Sequence, residues 1–576
     1  MNSTIEISDQ KKIRNYIPQD YTITDWAGLE TYYVYLMQQE PDSVEALEKF
    51  LEQRDELEAL VHEDYAWRYI RMTCDTQNEA HARSYQYFLQ EIMPQLSLYE
   101  DKLNRKVVGN PFFAQLNPVR YQTYTRSLKK EIELFRETNV PLATEAKSLF
   151  QEFETLVGAM TIEHEGETMT FQQAARFMED YDRDLRKEIW EKISLRREQD
   201  REKIGEIFDR LVSVRHQMAQ NAGFDRFTQY SFRSLGRFDY AQEDCRAFHN
   251  AVEKVVKPVF ATLQEEARER LGIADFRPWD QQVDIFGDTP LKPFRTGEEL
   301  VEKSIEILKE LRPELGDMIG IMARKGYLDV ESRVGKAPGG YNYPLMESGI
   351  PFIFMNAAGT QSDVITMLHE SGHAVHSFLT RDLSLGAFKD TPSEVAELAS
   401  MTMELLSLDY YKAFYPERKS LIRAQKGQLL RCITILPWVA TVDAFQEWVY
   451  NHPSHSHDAR NHAWTDLYYR FHGDVINWEG YEDRLASLWQ KQMHIFGMPF
   501  YYIEYAIAQL GALAIWKNYK QDPQKGIDGY LAALKLGYTR PIPEVYAAAG
   551  IRFDFSEDYI REIVGFCLEE YQALEL

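Results

Sequence analysis

The sequence predicts a mainly α-helical protein that is divided into two lobes. Apolar residues recur at spacings of three and four with charged residues between them, as at Ala46, Leu47, Phe50 and Leu51, which is typical of amphipathic helices. The chain has 576 residues, whereas a single hydrophobic core rarely exceeds about 250–300 residues. We therefore expect an N-terminal helical lobe over residues 1–195 and a larger second lobe over residues 196–576.

One irregular region interrupts the helical pattern at residues 276–343. It contains a loop with Gly339 and Gly340, which is not a phosphate-binding loop because no Gly-Lys-Ser/Thr follows it. Just beyond it, residues 351–356 form a short apolar and aromatic run that predicts a β-strand. The expected fold is thus mainly α with a small β-sheet.

The charge of the chain argues against two classes of partner. The formal net charge is −25 at pH 7 and the isoelectric point is about 5.1. Such a surface repels nucleic acids and anionic membranes, so we expect neither as a partner. The excess of carboxylates favours solubility.

Three features indicate a reducing cytoplasm. The four cysteines, Cys74, Cys245, Cys432 and Cys567, lie far apart and form neither a disulfide framework nor a C-x-x-C pair. The first residues lack the apolar segment of a secretory signal. The longest apolar stretch, near residues 505–516, is too short to span a bilayer.

The strongest motif is H-E-x-x-H, formed by His369, Glu370 and His373. A capping-box-like start at residues 360–363 and a continuing apolar pattern place the motif inside a helix, where residues four positions apart share one face. Both histidines can therefore bind one zinc ion, which accepts imidazole nitrogen at about 2.0–2.1 Å and keeps one position open in catalytic sites. Glu370 can then hold a water there and take its proton.

A third protein ligand is expected in the segment that begins at Thr391. Thr391 resembles an N-cap, and Pro392 suits the first helical position. Glu394 then falls at the third position, where a carboxylate reaches back to the cap, so its presence is explained without a metal. Glu397 lies one turn further on and has no such explanation. We favour Glu397 as the ligand and keep Glu394 as the alternative.

Three further residues near the motif have two interpretations each. Glu404 lies seven residues after Glu397, where it could either hydrogen-bond a ligating histidine or be solvated. Gly372 weakens a helix by about 1 kcal/mol relative to alanine, which suggests a close approach by a neighbouring helix or substrate unless it is merely tolerated. His376 would fill the open position of the metal as a ligand, so we predict a supporting or packing role.

At these residues the sequence resembles the thimet oligopeptidase/oligoendopeptidase F family of zinc metallopeptidases. The matching patterns are H-E-x-G-H-x-x-H at residues 369–376 and E-x-x-S-x-x-x-E at Glu397, Ser400 and Glu404. The resemblance is closest to the bacterial oligoendopeptidase F branch and covers most of the second lobe, which it implies is catalytic. It also implies one catalytic zinc ion, Glu397 as the third ligand, and a small sheet beside the active-site helix. The implied molecule is elongated and two-lobed, with a deep channel that admits short unfolded peptides.

The resemblance also implies residues that bind the scissile carbonyl group. These are a histidine, matched by His494, and two tyrosines. Tyr505 matches one of them, and either Tyr501 or Tyr502 matches the other. In this family such side chains stabilise the oxyanion that forms during hydrolysis.

A third implied feature is a substrate-binding loop, matched here by Gly339, Gly340 and Tyr341. The strand that contains Phe354 could offer its edge to an extended peptide substrate. The alternative is an ordinary buried strand.

Three functions remain open at this point. The first is an endopeptidase that cuts internal bonds of oligopeptides. The second is an exopeptidase of the peptidyl-dipeptidase type, because the 23 residues between His373 and Glu397 also resemble that group. A cationic residue that holds the C-terminal carboxylate of the substrate would distinguish it. The third is a helical binding protein with an inactive metal site, against which the intact His369, Glu370, His373 and Glu397 argue.

Overall fold

The computed structural model describes residues 13–287, 289–333, 335–337 and 339–575. These residues form two compact units, each built from three separate segments of the chain. Unit 1 contains the described residues of Met1–Glu133, Lys292–Glu417 and Gly511–Phe553. Unit 2 contains those of Leu134–Leu291, Arg418–Leu510 and Asp554–Leu576. This interleaved arrangement differs from the two contiguous lobes predicted with a boundary at residue 195, because an amphipathic pattern shows that a helix buries one face but not which distant segment covers it.

Helices dominate both units, and the strands are few and short. In chain order the α-helices are α1 (Trp26–Gln38), α2 (Val44–Cys74), α3 (Glu79–Tyr87), α4 (Met93–Gly109), α5 (Gln122–Leu134), α6 (Asn139–Gly158), α7 (Phe171–Ala175), α8 (Arg183–Gln199), α9 (Arg201–Asn221), α10 (Phe227–Ser234), α11 (Gln242–Ala251), α12 (Lys257–Arg270), α13 (Gly297–Leu311), α14 (Pro313–Lys325), α15 (Gln361–Thr380), α16 (Gly386–Lys389), α17 (Ser393–Leu406), α18 (Arg418–Asn451), α19 (His457–His472), α20 (Glu482–Ala486), α21 (Met493–Gly497), α22 (Ile503–Gln521), α23 (Pro523–Lys535), α24 (Ile542–Ala548) and α25 (Glu557–Ala573). The strands are β1 (Thr161–His164), β2 (Glu167–Thr170), β3 (Leu328–Glu331), β4 (Tyr341–Tyr343) and β5 (Phe352–Ala357). The predicted mainly α class with a small sheet is confirmed.

The core of unit 1 follows the pattern that the sequence shows in α2. Ser43 caps this helix, because its hydroxyl accepts a hydrogen bond from the Ala46 amide at 3.0 Å. The apolar positions Leu47, Phe50 and Leu51 that predicted the helix are all buried in one cluster with residues of α1 and α4. The three-and-four spacing therefore identified the buried face of α2.

The sheet of unit 1 has three strands in the order β3-β5-β4. The central strand β5 runs parallel to β3 and antiparallel to β4, and it packs near α15. Both edges of β5 are therefore paired, and the Phe354 side chain is only 1% exposed, in a cluster with Ala66 and Ile70. Of the two interpretations of this strand, the edge that binds a peptide is therefore wrong, and the ordinary buried strand holds. Among the described strands, the outer positions of this sheet belong to β3 and β4.

Unit 2 is organised around the long helix α18, which packs against α19 and α25. By length and composition alone α18 could cross a membrane, but 72% of its most apolar window is buried in the structure. Phe445 of this helix lies in a core cluster with Phe208, Trp464 and Trp489. The apolar character of α18 is thus accounted for by the core that it forms.

Candidate metal centre

Helix α15 begins where the sequence predicts. The Thr360 hydroxyl accepts a hydrogen bond from the Asp363 amide at 3.3 Å, and the Asp363 carboxylate accepts one from the Thr360 amide at 2.8 Å. This is a reciprocal capping box. It fixes the start of a 20-residue helix and places His369, Glu370 and His373 in its middle turns.

Helix α17 begins one residue later than predicted. Pro392 has an extended backbone, with ψ of 147°, and its carbonyl accepts the first helical hydrogen bonds from the amides of Val395 and Ala396. Pro392 is therefore the N-cap rather than the first helical residue, and Glu394 occupies the second position. The third helical position predicted for Glu394 is therefore wrong.

Gly372 lets α15 and α17 approach each other closely. A Cβ atom on Gly372 would lie 2.6 Å from the carbonyl oxygen of Ala399 and 2.6 Å from Cα of Ser400. Contacts this short are not tolerated, so residue 372 must be glycine for the backbones to meet. Of the alternatives for Gly372, the close approach of a neighbouring helix is the one that the structure shows.

Three side chains from these two helices converge. One ligand atom from each of His369, His373 and Glu397 lies within 4.8 Å of the others. Oε2 of Glu397 is 3.3 Å from Nε2 of His369 and 3.8 Å from Nε2 of His373. Ligands arranged tetrahedrally at about 2.0–2.1 Å from zinc lie about 3.4 Å apart, so this set fits that metal. Glu394 is not part of the group.

Two neighbours on α17 hold two of these side chains in place. Oε1 of Glu404 is 2.6 Å from Nδ1 of His369, which leaves Nε2 of that ring to face the metal position. The Ser400 hydroxyl donates a hydrogen bond to Oε2 of Glu397 at 3.0 Å. Glu404 is buried, so the interpretation as a solvated residue does not hold.

The electrostatics of the group suit a divalent cation. Burial lowers the pKa of His373 to about 4, so its imidazole is neutral at pH 7. Burial opposes ionisation of Glu397, but the hydrogen bond from His369 and electrostatic attraction to the two imidazole rings lower its pKa to about 2. Burial also opposes protonation of His369, yet its two carboxylate partners raise its pKa well above the ordinary value. A metal ion bound at Nε2 of His369 would therefore replace a proton.

Glu370 faces a different environment from Glu397. Its carboxyl group is buried, and among the described residues its Oε2 has no hydrogen-bond partner. Burial raises its pKa to about 7. The backbone carbonyl of Glu370 accepts a hydrogen bond from the Asn342 side chain of β4 at 3.2 Å. No motif or spacing marks Asn342, which ties the edge strand of the sheet to the helix that carries the motif.

His376 lies apart from the metal-ligand group. It is buried, its ring hydrogen-bonds to the backbone of Leu534 in unit 1, and burial lowers its pKa to about 3. These contacts support the predicted packing role.

The histidine and tyrosines assigned to carbonyl binding form one aromatic cluster in unit 2. The ring centroid of His494 lies 5.0 Å from that of Tyr502, 5.9 Å from Tyr505 and 6.0 Å from Tyr501. Tyr505 belongs to the first turn of α22, whereas Tyr501 and Tyr502 precede that helix. Burial raises the pKa of Tyr502 to about 12, so its hydroxyl is protonated at neutral pH.

A glutamine that the sequence did not single out orients His494. The Gln492 side-chain amide donates a hydrogen bond to Nδ1 of His494, over 2.7 Å. Nδ1 is then the acceptor, and the ring carries its proton on Nε2. The spacing of residues could not predict this role of Gln492, because the hydrogen bond to His494 depends on the local backbone conformation at the start of α21.

The predicted substrate loop leads into the edge strand β4. Gly339 has φ of +97°, a conformation that favours glycine, and nothing lies within 4 Å of a Cβ atom there. The Tyr341 ring stacks on Phe354 with centroids 4.8 Å apart, and its hydroxyl is 2.6 Å from that of Thr73. The Tyr341 side chain thus anchors β4 to the sheet. Gly340 lies close to β5, since a Cβ atom on Gly340 would be 3.4 Å from the carbonyl oxygen of Phe354.

A mainly helical chain that brings together two histidines of an H-E-x-x-H helix and a glutamate of a second helix has the features of a metallopeptidase. The family comparison agrees. The model of Peptidase family M3 matches residues 176–565, and that of the Peptidase M3 N-terminal domain matches residues 18–135. The chain therefore belongs to peptidase family M3, and the predicted family resemblance is confirmed.

Individual relatives show the same similarity. The chain is 24% identical over 415 residues to the chromosomal oligoendopeptidase F of Lactococcus lactis subsp. cremoris, a match that covers 69% of this chain and 64% of that protein. The chain thus spans slightly less than two thirds of that relative's length. The structure is similar to that of Pz peptidase A with an inhibitor, with a TM-score of 0.90, 27% identity, and coverage of 96% and 98% of the two chains. An X-ray structure assigned as an oligoendopeptidase F has a TM-score of 0.90 at 25% identity and covers 97% and 98%.

Proposed function

We propose that the protein is a zinc-dependent oligoendopeptidase that hydrolyses internal peptide bonds of short unfolded peptides. The observation that carries this proposal is the buried carboxylate of Glu370, which has an unpaired oxygen and directly follows the metal ligand His369. A buried acid without a partner is costly unless it has a chemical role. General base catalysis is such a role.

The donor set supports one catalytic zinc ion held by His369, His373 and Glu397. Two imidazole nitrogens and one carboxylate oxygen are ligands of catalytic zinc sites that keep a position open. The histidine side chains are 21% and 20% exposed, so the metal position can be reached from outside the core. When bound, zinc would polarise the peptide carbonyl group and lower the pKa of water.

Glu370 is the proposed general base and acid. Its Oε2 accepts the proton of the attacking water and then donates that proton to the nitrogen of the leaving amine. A carboxyl group with a pKa near neutrality can do both, and burial moves the pKa of Glu370 in that direction. Glu404 supports the chemistry indirectly, because it fixes the ring of His369.

We expect the peptide substrate to bind along the free edge of strand β4. In the described part of the chain β4 pairs only with β5, so one side of Tyr341–Tyr343 offers unpaired backbone groups. An extended peptide can add to such an edge through main-chain hydrogen bonds. Since Asn342 contacts the backbone of Glu370, a peptide on this edge would run past the proposed base.

His494 and Tyr505, with Tyr501 or Tyr502, are the proposed donors to the carbonyl oxygen of the substrate. Their clustering and the protonated Nε2 of His494 support this role, since neutral donors stabilise a developing oxyanion. A cytoplasmic location is also proposed, supported by the four free cysteines and the acidic composition.

A ten-residue peptide that is acetylated at its N-terminus and amidated at its C-terminus tests endo action. We expect cleavage at internal bonds, identified by mass spectrometry. The exopeptidase alternative predicts no cleavage of the blocked peptide and stepwise trimming of the unblocked one, and that result would overturn the endopeptidase proposal.

A further inference from the structure

A cavity of about 610 Å³ lies within unit 2, among α6, α8, α12, α18 and α19. This volume is in the range of small-molecule binding sites. Most of its wall is apolar and aromatic, and three tryptophans, Trp190, Trp438 and Trp478, contribute to it. The cavity contains none of the residues assigned above to metal or carbonyl binding.

The charged residues of this cavity are all cationic. They are Arg197, Arg431, Arg484 and Lys491, and none of the described residues that line the cavity is acidic. In the whole chain acidic residues outnumber basic ones by 90 to 65. The cavity wall therefore reverses the charge of the molecule and favours an anionic ligand.

Three of these cations, Arg197, Arg431 and Lys491, lack a carboxylate partner among the described residues. Arg484 pairs with Glu198, whereas the Arg197 guanidinium lies over the ring of Phe171 at 5.1 Å and the Lys491 ammonium over the ring of Trp438 at 4.3 Å. Burial and the nearby charge of Arg197 lower the pKa of Lys491 to about 8. Most Lys491 is still charged at pH 7, so two cations face one space and repel each other until an anion joins them.

A buried amide in the same wall also lacks a partner. Gln264 is 6% exposed, and its Oε1 has no hydrogen-bond partner among the described residues. An amide oxygen accepts hydrogen bonds, so a ligand that donates an N–H or O–H group would satisfy it. A ligand that is complementary to this wall would therefore combine an anionic group, a hydrogen-bond donor and an apolar group.

We propose that this cavity binds a carboxylate that carries an amide N–H and an aromatic or branched apolar side chain. That chemistry occurs in the C-terminal residue of a peptide and in a free N-acyl amino acid. Lys491 and Arg197 pair with the carboxylate, Gln264 accepts the N–H, and the tryptophans contact the side chain. The identification of the ligand as the C-terminal residue of a peptide rests on the proposed peptidase function. The binding of such a carboxylate to the cavity does not depend on that function.

A ligand in this cavity would also contact Trp438, which is hydrogen-bonded to the residue that orients His494. Trp438, which lies beneath the Lys491 ammonium, donates its indole N–H to Oε1 of Gln492 at 3.0 Å. Gln492 in turn donates to Nδ1 of His494. Two hydrogen bonds therefore connect the cavity wall to the aromatic cluster of unit 2.

Calorimetric titration with N-acetyl-L-phenylalanine at pH 7 tests the site, with N-acetyl-L-phenylalaninamide as the uncharged control. We expect the acid to bind at least about tenfold more tightly than the amide, because it gains charge-assisted hydrogen bonds. Equal affinity for acid and amide, or no binding of the acid to the wild-type protein, would overturn the proposal.

Two substitutions locate the binding to this cavity. Lys491→Met and Arg197→Met each remove a charge, keep most of the side-chain volume, and should weaken binding of the acid at least about tenfold. Lys192→Met is the control, since Lys192 lies on the same helix as Arg197 but pairs with Glu188 at the surface. Unchanged affinity in Lys491→Met would contradict the assignment, and the acid–amide comparison on wild type remains decisive if a variant does not fold.

A displacement experiment distinguishes the two sources of the ligand. The Glu370→Gln variant is mixed with N-acetyl-L-phenylalanine and a hexapeptide that ends in phenylalanine, either as the free acid or as the amide. Displacement by the peptide acid alone supports a C-terminal residue as the ligand. Failure of the peptide acid to displace supports a free N-acyl amino acid. Absence of peptidase activity in the wild type would contradict the proposed function, whereas binding of N-acetyl-L-phenylalanine to the cavity would be unaffected by that result.

Discussion

Nδ1 of His369 lies 2.6 Å from Oε1 of Glu404, so a buried carboxylate on α17 orients a proposed metal ligand on α15. Partners of this kind typically strengthen metal binding about 10–100-fold. We therefore predict that Glu404→Gln lowers zinc affinity by that amount without unfolding the protein, measured by competition with a chelator. Glu298→Gln, at the exposed first turn of α13, is the control and should bind zinc like wild type. Wild-type affinity in Glu404→Gln would show that the hydrogen bond does not support the metal site.

Gly372→Ala should destabilise unit 1. The added methyl group would lie 2.6 Å from backbone atoms of α17, and such overpacking typically costs about 1–3 kcal/mol, which exceeds the helix-propensity gain of about 1 kcal/mol. Thermal melting provides the measurement. Gly565→Ala in the middle of α25 is the matched control, because nothing lies within 4 Å of a Cβ atom there. A melting temperature at or above wild type in Gly372→Ala would contradict the close approach of the two helices.

Tyr505→Phe should reduce kcat by about 10²–10³ and change KM little, because the loss of one oxyanion donor acts mainly on the transition state. Steady-state kinetics on a quenched peptide measures both constants. Tyr33→Phe is the control, since Tyr33 is buried in the core of unit 1 and its hydroxyl has no partner among the described residues. The same measurement on Tyr501→Phe and Tyr502→Phe decides which of them accompanies Tyr505. A kcat within about threefold of wild type in Tyr505→Phe removes its proposed role.

Local sequence patterns were sufficient to predict the helix that carries the H-E-x-x-H motif. The capping box at Thr360 and Asp363 and the four-residue spacing of His369 and His373 predict the start of α15 and the shared face. These features depend only on residues near one another in the chain. The choice between Glu394 and Glu397 was also possible from spacing, although the capping argument behind it used the wrong start of α17.

Long-range features could not be predicted in the same way. The central position of β5 depends on which strands pair with it, and the short run at Phe352–Ala357 fits an edge or a central strand equally well. The interleaved units depend on contacts between distant segments. The cationic cavity of unit 2 combines residues from 197 to 491 that no motif connects.

His472 predicts a pH dependence of stability. Burial lowers its pKa to about 3, whereas an unfolded histidine titrates near about 6.5. The group therefore contributes stability that is fully present above about pH 6.5 and is lost as the pH falls toward 3, since the unfolded chain then binds the proton first. Acidification from pH 7.5 to 5.5 should lower the free energy of unfolding by about 1.4 kcal/mol through this histidine.

The variant His472→Phe isolates this contribution. Phenylalanine can keep the stacking on Tyr468, whose ring centroid is 4.2 Å from that of His472. Urea denaturation at pH 7.5 and 5.5 should show a smaller loss of stability on acidification for the variant than for wild type. His452→Gln changes an exposed histidine and should lose as much as wild type. An identical loss in wild type and His472→Phe would refute the assignment.

Zinc content and peptide turnover, measured together on wild type, Glu370→Gln and Glu397→Gln, test the proposed zinc peptidase mechanism. We predict one zinc ion per chain and cleavage of the peptide by wild type. Glu370→Gln should keep the zinc and lose turnover by about 10²–10⁴, because the general base is gone. Glu397→Gln should lose zinc and turnover together, while Glu394→Gln keeps the metal. Near-wild-type turnover in Glu370→Gln would contradict its role as the general base, and full zinc content in Glu397→Gln would contradict its role as a metal ligand.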